Sequence, residues 1–393
     1  MKLMMVPMVG GRGIGPICRT LAIAEEAKRF FEIKFLCSNK FVPFLQDREY
    51  SFVEDVDPVQ VQEQGDIIKW NDAAYAMGLC NPTFVEKAIS HQLQIVKEYE
   101  PDVIFTEYNL TICVVAKILN IPIVSTIHWA DVSEFSIGKT HLPNKYPHAI
   151  DPYNDFLTRY GFCTYGDISQ MVTEIPILIA PTLECLQPKL KNYGATYVGE
   201  LINREWEEDE KVEDTIEKDC VYVYLTTADI PIETWVKRVF IELGNKPFKV
   251  YMVGNDKVMR FIHNDNIEIP SNICVSNYYP SMSVLKKAKI VIHAGSSNII
   301  SGALLTATPS LMLPLNDGER LFNALGVERN GCGKIIRENE FLTPGVLSHM
   351  VEKYSSDYYA QNSMALGTEI KNLGGRNRTV EIMKNIVKHS EVI

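Results

Sequence analysis

The sequence lacks two features that would indicate a membrane or a secreted protein, namely a long apolar stretch and a cysteine framework. Its best apolar candidate, residues 110–127, is broken by a lysine, an asparagine and a proline, whereas a spanning helix needs about 20 apolar residues. The nine cysteines form no CxxC pair, and several lie within apolar runs, which predicts free thiols in a reducing compartment. Glycines follow the short apolar N-terminus without a cleavage site, so we expect no signal peptide and a cytoplasmic protein.

An excess of positive charge is also missing. Lysine and arginine total 39 against 49 acids, and residues 205–219 alone contain nine acids and two lysines. A nucleic-acid partner would favour a basic stripe, so none is expected. At 393 residues with 46% apolar content, the chain is long enough for two domains, each with its own core.

Short apolar runs alternate with amphipathic segments along the whole chain, and the pattern restarts after the acidic segment. This alternation predicts an α/β fold of two Rossmann-like, doubly wound parallel-sheet domains facing across a crevice, with ligands at the carboxyl ends of the strands. We expect a first domain over 1–202, an acidic linker over 203–219, a second domain over 220–357, and a helical tail over 358–393 that crosses back to the first domain. Strands are predicted at 2–9, 33–37, 101–105, 122–127, 221–225, 249–253, 273–276, 289–293 and 310–314, and helices at 17–30, 112–119 and 233–243.

Several common catalytic motifs are absent. The sequence contains no HExxH, no Walker lysine motif and no GxSxG elbow. Asp55-Val56-Asp57 could hold a divalent metal through carboxylate oxygens, but its surroundings favour a solvated acidic turn. We therefore expect no bound metal.

Four loops that follow predicted strands could bind a ligand. The glycine-rich loop 10–15 would allow close approach to an anion at the following helix, although a plain strand–turn–helix loop explains it equally well. The small and hydroxyl residues of 293–298 could form a phosphate nest, although a lone histidine there is more often structural. The loop 314–320 could bond sugar hydroxyls or be a surface turn, and Thr226-Thr227 could donate hydroxyls or simply end a strand.

Taken together, these segments resemble the GT-B glycosyltransferases, in particular the UDP-glycosyltransferase (macrolide and flavonoid glycosyltransferase) family and its MurG-like relatives. The run from KKAKIVIHAGSSN to ERLFNALGVERNGCGKII is similar to the donor-binding signature of that family, and Tyr278-Tyr279-Pro280 to its aromatic-x-Pro element. In the first half, GIGPICRTLAIAEEA is similar to the first loop and helix, and residues 101–126 to later strands.

The resemblance implies a hexose transfer from a UDP- or dTDP-sugar to a small-molecule or lipidic acceptor, metal-independent and inverting, with the nucleotide sugar as co-substrate and no cofactor. The acceptor would bind in the first domain. Tyr278 would stack on the base, and Glu319 with Arg320 would meet the sugar. The other implied donor-binding residues are Gly13, Thr227, His293, Gly295, Ser296, Ser297 and Asn298.

Three departures concern catalysis. The position of the family's general-base histidine holds Pro16, that of its ribose-binding acid holds Gly302, and one extra residue shifts the phosphate contact towards Ala294. Glu107 is the best remaining base because it follows the strand PDVIFT, where the resemblance places the partner of the missing histidine; an ion pair there is equally compatible. His128 is the second candidate, although a half-buried structural histidine is the commoner case, and an acidic acceptor would need little base.

Two other functions remain open from the sequence. One is a nucleotide-sugar epimerase or hydrolase on the same fold, and the other is a non-catalytic nucleotide-sugar-binding partner protein. Pro16 and Gly302 favour the second, whereas Ser296 and Glu319 speak against it. The sequence gives no sign of an oligomeric state, and a homodimer stays open.

Overall fold

The computed structural model describes residues 1–10, 14–61, 70–128, 146–201, 218–225, 230–315 and 318–390. The chain divides into two compact units: unit 1 contains Met1–Arg204 and Leu373–Ile393, and unit 2 contains Glu205–Asn372. Glycine loop residues 11–13, the acidic segment 202–217, Thr226-Thr227 and residues 316–317 lie outside the described residues.

Unit 1 is built on a seven-stranded parallel sheet in the order β3-β2-β1-β4-β5-β6-β7. Its strands read as nearly continuous apolar runs because helices cover both faces; all four residues of β4, for example, are buried. The strands are β1 Lys2–Val6, β2 Glu32–Cys37, β3 Ser51–Glu54, β4 Val103–Thr106, β5 Ile123–Thr126, β6 Ile177–Ala180 and β7 Thr196–Tyr197.

The helices of unit 1 close its core. Val380, Met383 and Val387 of the last helix pack into the same apolar cluster as Leu3 and Ile17. The helices are α1 Gly15–Ala27, α2 Val42–Gln46, α3 Trp70–Ala76, α4 Pro82–Tyr99, α5 Leu110–Leu119, α6 Asp151–Arg159, α7 Ile168–Thr173 and, at the end of the chain, α16 Gly375–Ser390.

Unit 2 repeats this architecture with six parallel strands in the order β10-β9-β8-β11-β12-β13. The strands are β8 Cys220–Tyr224, β9 Lys249–Val253, β10 Ile273–Ser276, β11 Ala288–His293, β12 Ser310–Met312 and β13 Gly333–Ile335. The helices are α8 Ile232–Leu243, α9 Asp256–Asn264, α10 Ser281–Lys287, α11 Ser297–Leu305, α12 Gly318–Arg329, α13 Glu338–Leu342, α14 Val346–Tyr354 and α15 Asp357–Asn372.

The expectation of two doubly wound parallel sheets is confirmed, although several strands are shorter than predicted. The first strand ends at Val6 rather than at position 9, and β12 ends at Met312 rather than at position 314. Pro7 and Pro314 lie just beyond these ends, and proline has no N–H to donate to a ladder.

The predicted tail consists of α15 and α16, which are joined by Leu373 and Gly374, and Gly375 is the first residue of α16. Both glycines have positive φ, +86° and +48°, and the Gly375 N–H donates to the Val198 carbonyl of unit 1 at 2.7 Å. A Cβ at Gly375 would come within 2.6 Å of the Glu200 carbonyl oxygen, so a side chain would displace this turn. The domain limits given from the sequence stay predictions. In the described parts of the chain, no helix is long and apolar enough to cross a bilayer.

Candidate functional site

Each sheet has a topological switch point, where consecutive connections leave in opposite directions. In unit 1 it lies between β1 and β4, and in unit 2 between β8 and β11. Ligands of open α/β sheets bind at the carboxyl ends of the strands at such points. Glu107 directly follows β4, and His293 is the last residue of β11, so both predicted residues lie at a switch point.

At the unit 1 edge, Glu107 forms a buried ion pair with Arg19 of α1. The Arg19 Nε–H donates to Glu107 Oε1 at 2.6 Å, and Nη2 contacts the same oxygen. The Glu107 side chain is 0% exposed and that of Arg19 10%. This is the ion pair that the sequence left open as the alternative role of Glu107.

The second oxygen of Glu107 differs from the first, because Oε2 is buried and has no hydrogen-bond partner among the described residues. Burial raises the pKa of Glu107, and the Arg19 guanidinium opposes this shift. The carboxylate therefore keeps one oxygen able to accept a proton. Its role as the base stays a prediction.

His128 lies two residues beyond β5, the neighbour of β4, and its ring centroid is 5.6 Å from that of Tyr108. Burial, with a smaller contribution from Arg19, lowers the pKa of His128 to about 3. The imidazole is therefore neutral at neutral pH and a weak base. Tyr108 itself has φ +58°, an uncommon value for a non-glycine residue.

Asp55 is not in a solvated turn, and this interpretation of the sequence was wrong for that residue. Its side chain is buried, and Oδ2 accepts from Gln92 Nε2 at 2.8 Å and from Asn109 Nδ2 at 3.3 Å. The Val56 N–H donates to Oδ1 at 2.8 Å. These are amide donors, and in the described parts of the chain no cluster of three potential metal ligands occurs.

At the unit 2 edge, the ring of His293 is fixed by the loop that follows it. The Gly295 N–H donates to Nδ1 at 3.0 Å, which leaves the ring proton on Nε2. Burial lowers the pKa of His293 to about 3, so the ring is neutral. Nε2 is buried and has no partner among the described residues, which makes it an unused donor.

Gly295 cannot carry a side chain here. Its φ is +95°, and a Cβ would lie 2.9 Å from the carbonyl oxygen of Arg320. The loop after β11 is thus held against the first turn of α12, which contains the exposed Glu319 and the half-buried Arg320. The structure brings His293, Gly295, Glu319 and Arg320 into one region of unit 2.

The helix after this loop, α11, begins without a capping bond from the side chain of its own N-cap residue. Ser296 is the N-cap of α11 with extended backbone angles, and its side chain makes no capping bond. Ser297 and Asn298 form the first turn. By contrast, Asn255 caps α9 by accepting from the N–H groups of Lys257 and Val258. The backbone N–H groups at the start of a helix suit a phosphate.

The remaining predicted residues are placed as follows. Tyr278 follows β10 and is 74% exposed, with its ring free to take a stacking partner. Gly302 is buried inside α11, where a Cβ would lie 2.9 Å from Leu285 Cδ1, so an acid at this position would enter the core. Pro16 lies in the first turn of α1. Gly13 and Thr227 lie outside the described residues.

The sequence reasoning missed Arg19 and the polar network of Asp55. Arg19 is one charged residue in the otherwise apolar stretch ICRTLAIA, and a charge on the buried face of a predicted helix is the signal that points to a buried partner.

The chain is similar in sequence to proteins that are named as glycosyltransferases. No protein-family model matches the chain. Over its full length, and over the full length of the relative, the chain is 22% identical to the NDP-glycosyltransferase YjiC of Bacillus subtilis (strain 168). It is 29% identical to the uncharacterized UDP-glucosyltransferase YojK of the same strain, in a match that spans 31% of this chain and 30% of that protein.

The same architecture occurs in solved structures. The calicheamicin glycosyltransferase CalG4 superposes with a TM-score of 0.77 at 16% identity, covering 99% of this chain and 98% of the other. The spinosyn rhamnosyltransferase SpnG complexed with thymidine diphosphate superposes with a TM-score of 0.68 at 12% identity, covering 98% and 100%. The chain has the GT-B fold. The likeness to GT-B glycosyltransferases that the sequence motifs indicate is confirmed.

Proposed function

We propose that the protein transfers a sugar from a UDP- or dTDP-sugar to a hydroxyl group of a small-molecule or lipidic acceptor. The observation that carries this proposal is the group of hydrogen-bond donors at the carboxyl ends of the unit 2 strands. A neutral His293, whose Nε2–H has no partner among the described residues, lies beside the start of α11, where the Ser296 side chain makes no capping bond. Relatives named as nucleotide-sugar transferases and a structural neighbour crystallised with thymidine diphosphate support the same donor class.

In the proposed step, the acceptor oxygen attacks the anomeric carbon and its proton passes to Glu107 Oε2. The bond between that carbon and the diphosphate oxygen breaks, and the electron pair leaves with the diphosphate. Attack opposite the leaving group inverts the anomeric centre. The N–H groups of α11 and the ring N–H of His293 stabilise the charge that develops on the diphosphate, and we propose that no metal ion is required for this.

The two candidate bases differ in how burial acts on them. Burial favours the protonated form of Glu107 and the neutral form of His128. Efficient general bases have a pKa near the working pH, so the shift improves Glu107 and weakens His128. Glu107 is therefore the proposed base.

The donor site is tested by thermal unfolding in the presence of UDP, dTDP, GDP or CMP. A ligand at about 100 times its dissociation constant adds about 2.7 kcal/mol of stability, which raises the melting temperature by several degrees in a domain of this size. We expect UDP or dTDP to stabilise the protein. No shift with any nucleotide would contradict the proposal.

His293→Phe keeps a buried ring and removes the ring N–H, so the nucleotide-induced shift should fall by more than half. His263→Phe, at an exposed histidine of α9 in the same unit, is the matched control and should leave the shift unchanged. Equal shifts in both variants would remove His293 from the donor site.

A non-catalytic binding protein is the second candidate, because Pro16 replaces the expected base and Glu107 is held by Arg19. Nucleotide-sugar turnover separates the possibilities. Transfer to an acceptor supports the proposal, release or epimerisation of the sugar without acceptor indicates a hydrolase or epimerase, and binding without turnover indicates a binding protein.

A further inference from the structure

Unit 1 contains a large cavity at the amino ends of its strands, whereas Glu107 lies at their carboxyl ends. The cavity has a volume of about 710 Å³ and includes Ile123 and Ile177, the first residues of β5 and β6. Glu107 and His128, by contrast, follow strands at their carboxyl ends. The cavity is therefore separate from the candidate site for sugar transfer, and its volume is typical of small-molecule sites, roughly 300–1,000 Å³.

The walls of the cavity are mainly apolar. Apolar side chains come from α5, α6 and α7, including Val114, Leu157 and Met171, and aromatic side chains come from Phe162 and Tyr165. Covering apolar surface of this kind with an apolar ligand is favourable, because the surface is removed from water. The ligand should therefore have an apolar body.

Among the described residues that line the cavity, Lys117 is the one cation. Lys117 lies near the end of α5, and its ammonium group donates to the Tyr165 hydroxyl at 2.5 Å and lies 4.5 Å from the centroid of that ring. No carboxylate among the described residues lies within ion-pair distance of this lysine. Glu174, the acid on the same lining, instead accepts from Gln170 Nε2 at 2.7 Å.

The position of the cation is fixed by the loop beneath it. The Tyr165 N–H donates to Asn154 Oδ1 at 2.8 Å, and the Asn154 amide returns a bond to the Tyr165 carbonyl at 2.8 Å. Asn154 belongs to α6, so this pair of hydrogen bonds holds Tyr165 against a helix of the cavity wall. Tyr165 in turn holds the ammonium group of Lys117. A lysine held beside an apolar cavity without an anionic partner complements a negatively charged ligand.

We propose that this cavity binds an amphipathic monoanion, with an apolar chain or ring system in the cavity and a carboxylate or sulfonate group at Lys117. The site is distinct from the residues proposed for donor binding and for the base, because none of them lines the cavity.

The test measures binding of dodecanoate and of its neutral analogue dodecanol to the full chain by displacement of anilinonaphthalene sulfonate fluorescence. We expect dodecanoate to bind more tightly than dodecanol. Lys117→Met should weaken dodecanoate binding by about tenfold or more, as expected for one charge-assisted hydrogen bond, and should leave dodecanol binding unchanged. Lys87→Met, at an exposed lysine of α4 in the same unit, is the matched control and should change neither.

A second variant locates the ligand. Ile121→Trp places a larger side chain at a half-buried lining position and should weaken both ligands, with the melting temperature showing that the variant is folded. Absence of dodecanoate binding, equal affinity for dodecanoate and dodecanol, or unchanged affinities in Lys117→Met would each overturn the proposal. Unchanged affinities in a folded Ile121→Trp would place the ligand elsewhere.

Discussion

Glu107 and His128 follow neighbouring strands of one sheet, yet burial changes their proton affinities in opposite directions. A buried carboxylate is harder to ionise, and a buried imidazole is harder to protonate. The pKa of Glu107 is accordingly raised and that of His128 lowered to about 3. Of the two, only Glu107 is shifted towards the range in which a group accepts a proton at neutral pH.

Glu107→Gln preserves the shape of the side chain and removes the proton acceptor. Turnover should therefore fall by about 10²–10⁴-fold, the usual contribution of a general base, while the nucleotide-induced rise in melting temperature stays as in the wild type. In the wild type, turnover should also fall as the pH drops through the raised pKa of Glu107. Glu98→Gln, at an exposed position of α4, serves as the control, and normal turnover in Glu107→Gln would exclude Glu107 as the base.

Asp55 allows a test of stability against pH at a single residue. Burial raises the pKa of Asp55 to about 6, although hydrogen bonds from the side-chain amides of Gln92 and Asn109 oppose this shift. Between the ordinary carboxyl pKa of about 4 and this value, the native state binds more protons than the unfolded state. The contribution of Asp55 to stability is therefore greatest at acidic pH and is lost as the pH rises through that window.

Comparison of the wild type with Asp55→Asn isolates this effect. The unfolding free energy of the wild type, relative to the variant, should fall by up to about 1.4 kcal/mol per pH unit between pH 4 and 6 and should then level off. Denaturant titration at each pH measures the difference. Asp57→Asn, two residues away and exposed, is the matched control, and a flat difference for Asp55→Asn would contradict the buried carboxyl.

These residues also show what a sequence can and cannot predict. That Glu107 follows a strand can be predicted from PDVIFT alone, because the run is short, apolar and bounded by a proline. Its pairing with Arg19 cannot, because the partners are 88 positions apart and the contact depends on which face of α1 meets the sheet. The burial of Asp55 is likewise set by Gln92 and Asn109, which belong to other elements.

At the scale of elements, the parallel strands were predictable because strands covered on both faces are apolar at nearly every position. The capping of helices adds information that strand patterns do not contain. Asn109 caps α5 and Asn255 caps α9, whereas the starts of α1 and α11 have no side-chain cap. Both helices follow loops that the sequence singled out as anion sites, although α2, α6, α8, α10 and α14 also begin without a side-chain cap.

Lys218 forms hydrogen bonds at the C-terminal end of α11. Its ammonium group donates to the carbonyl oxygens of Thr306 and Ala307 at 2.6 and 3.2 Å and to the Thr308 hydroxyl at 2.8 Å. Both carbonyls lie just beyond Leu305, the last residue of α11, and a lysine at a helix C-terminus suits the helix dipole. The Ser296 side chain makes no capping bond at the start of α11, whereas a lysine side chain holds the chain at its end.

Lys218→Met keeps much of the apolar stem and removes these hydrogen bonds. We expect a loss of about 1–3 kcal/mol in unfolding free energy, because the acceptors lose a charged donor in a largely buried setting. Lys257→Met, at an exposed position of α9, is the control and should change stability by less than about 0.5 kcal/mol. Equal stabilities of the two variants would show that Lys218 is dispensable for α11.

At the scale of the whole molecule, each unit has a core of its own. In unit 1 the core joins Leu3, Phe35 and Phe105 with Met383 of the last helix. In unit 2 it joins Val223, Trp235 and Ile292 with Phe341. Separate cores allow the units to unfold in separate transitions, and a ligand stabilises the unit that binds it.

Calorimetry of the full chain should therefore show which unit binds the donor. Two variants assign each calorimetric transition to a unit. Lys218→Met should lower the melting temperature of unit 2, and Asp55→Asn should alter that of unit 1. UDP or dTDP at about 100 times its dissociation constant should raise only the transition that Lys218→Met lowers, by an amount that corresponds to about 2.7 kcal/mol. His293 and the start of α11, which we propose bind the nucleotide, belong to unit 2, so the nucleotide is expected to stabilise that unit. A shift confined to the transition marked by Asp55→Asn would place the nucleotide in unit 1 and contradict the assignment of the donor site.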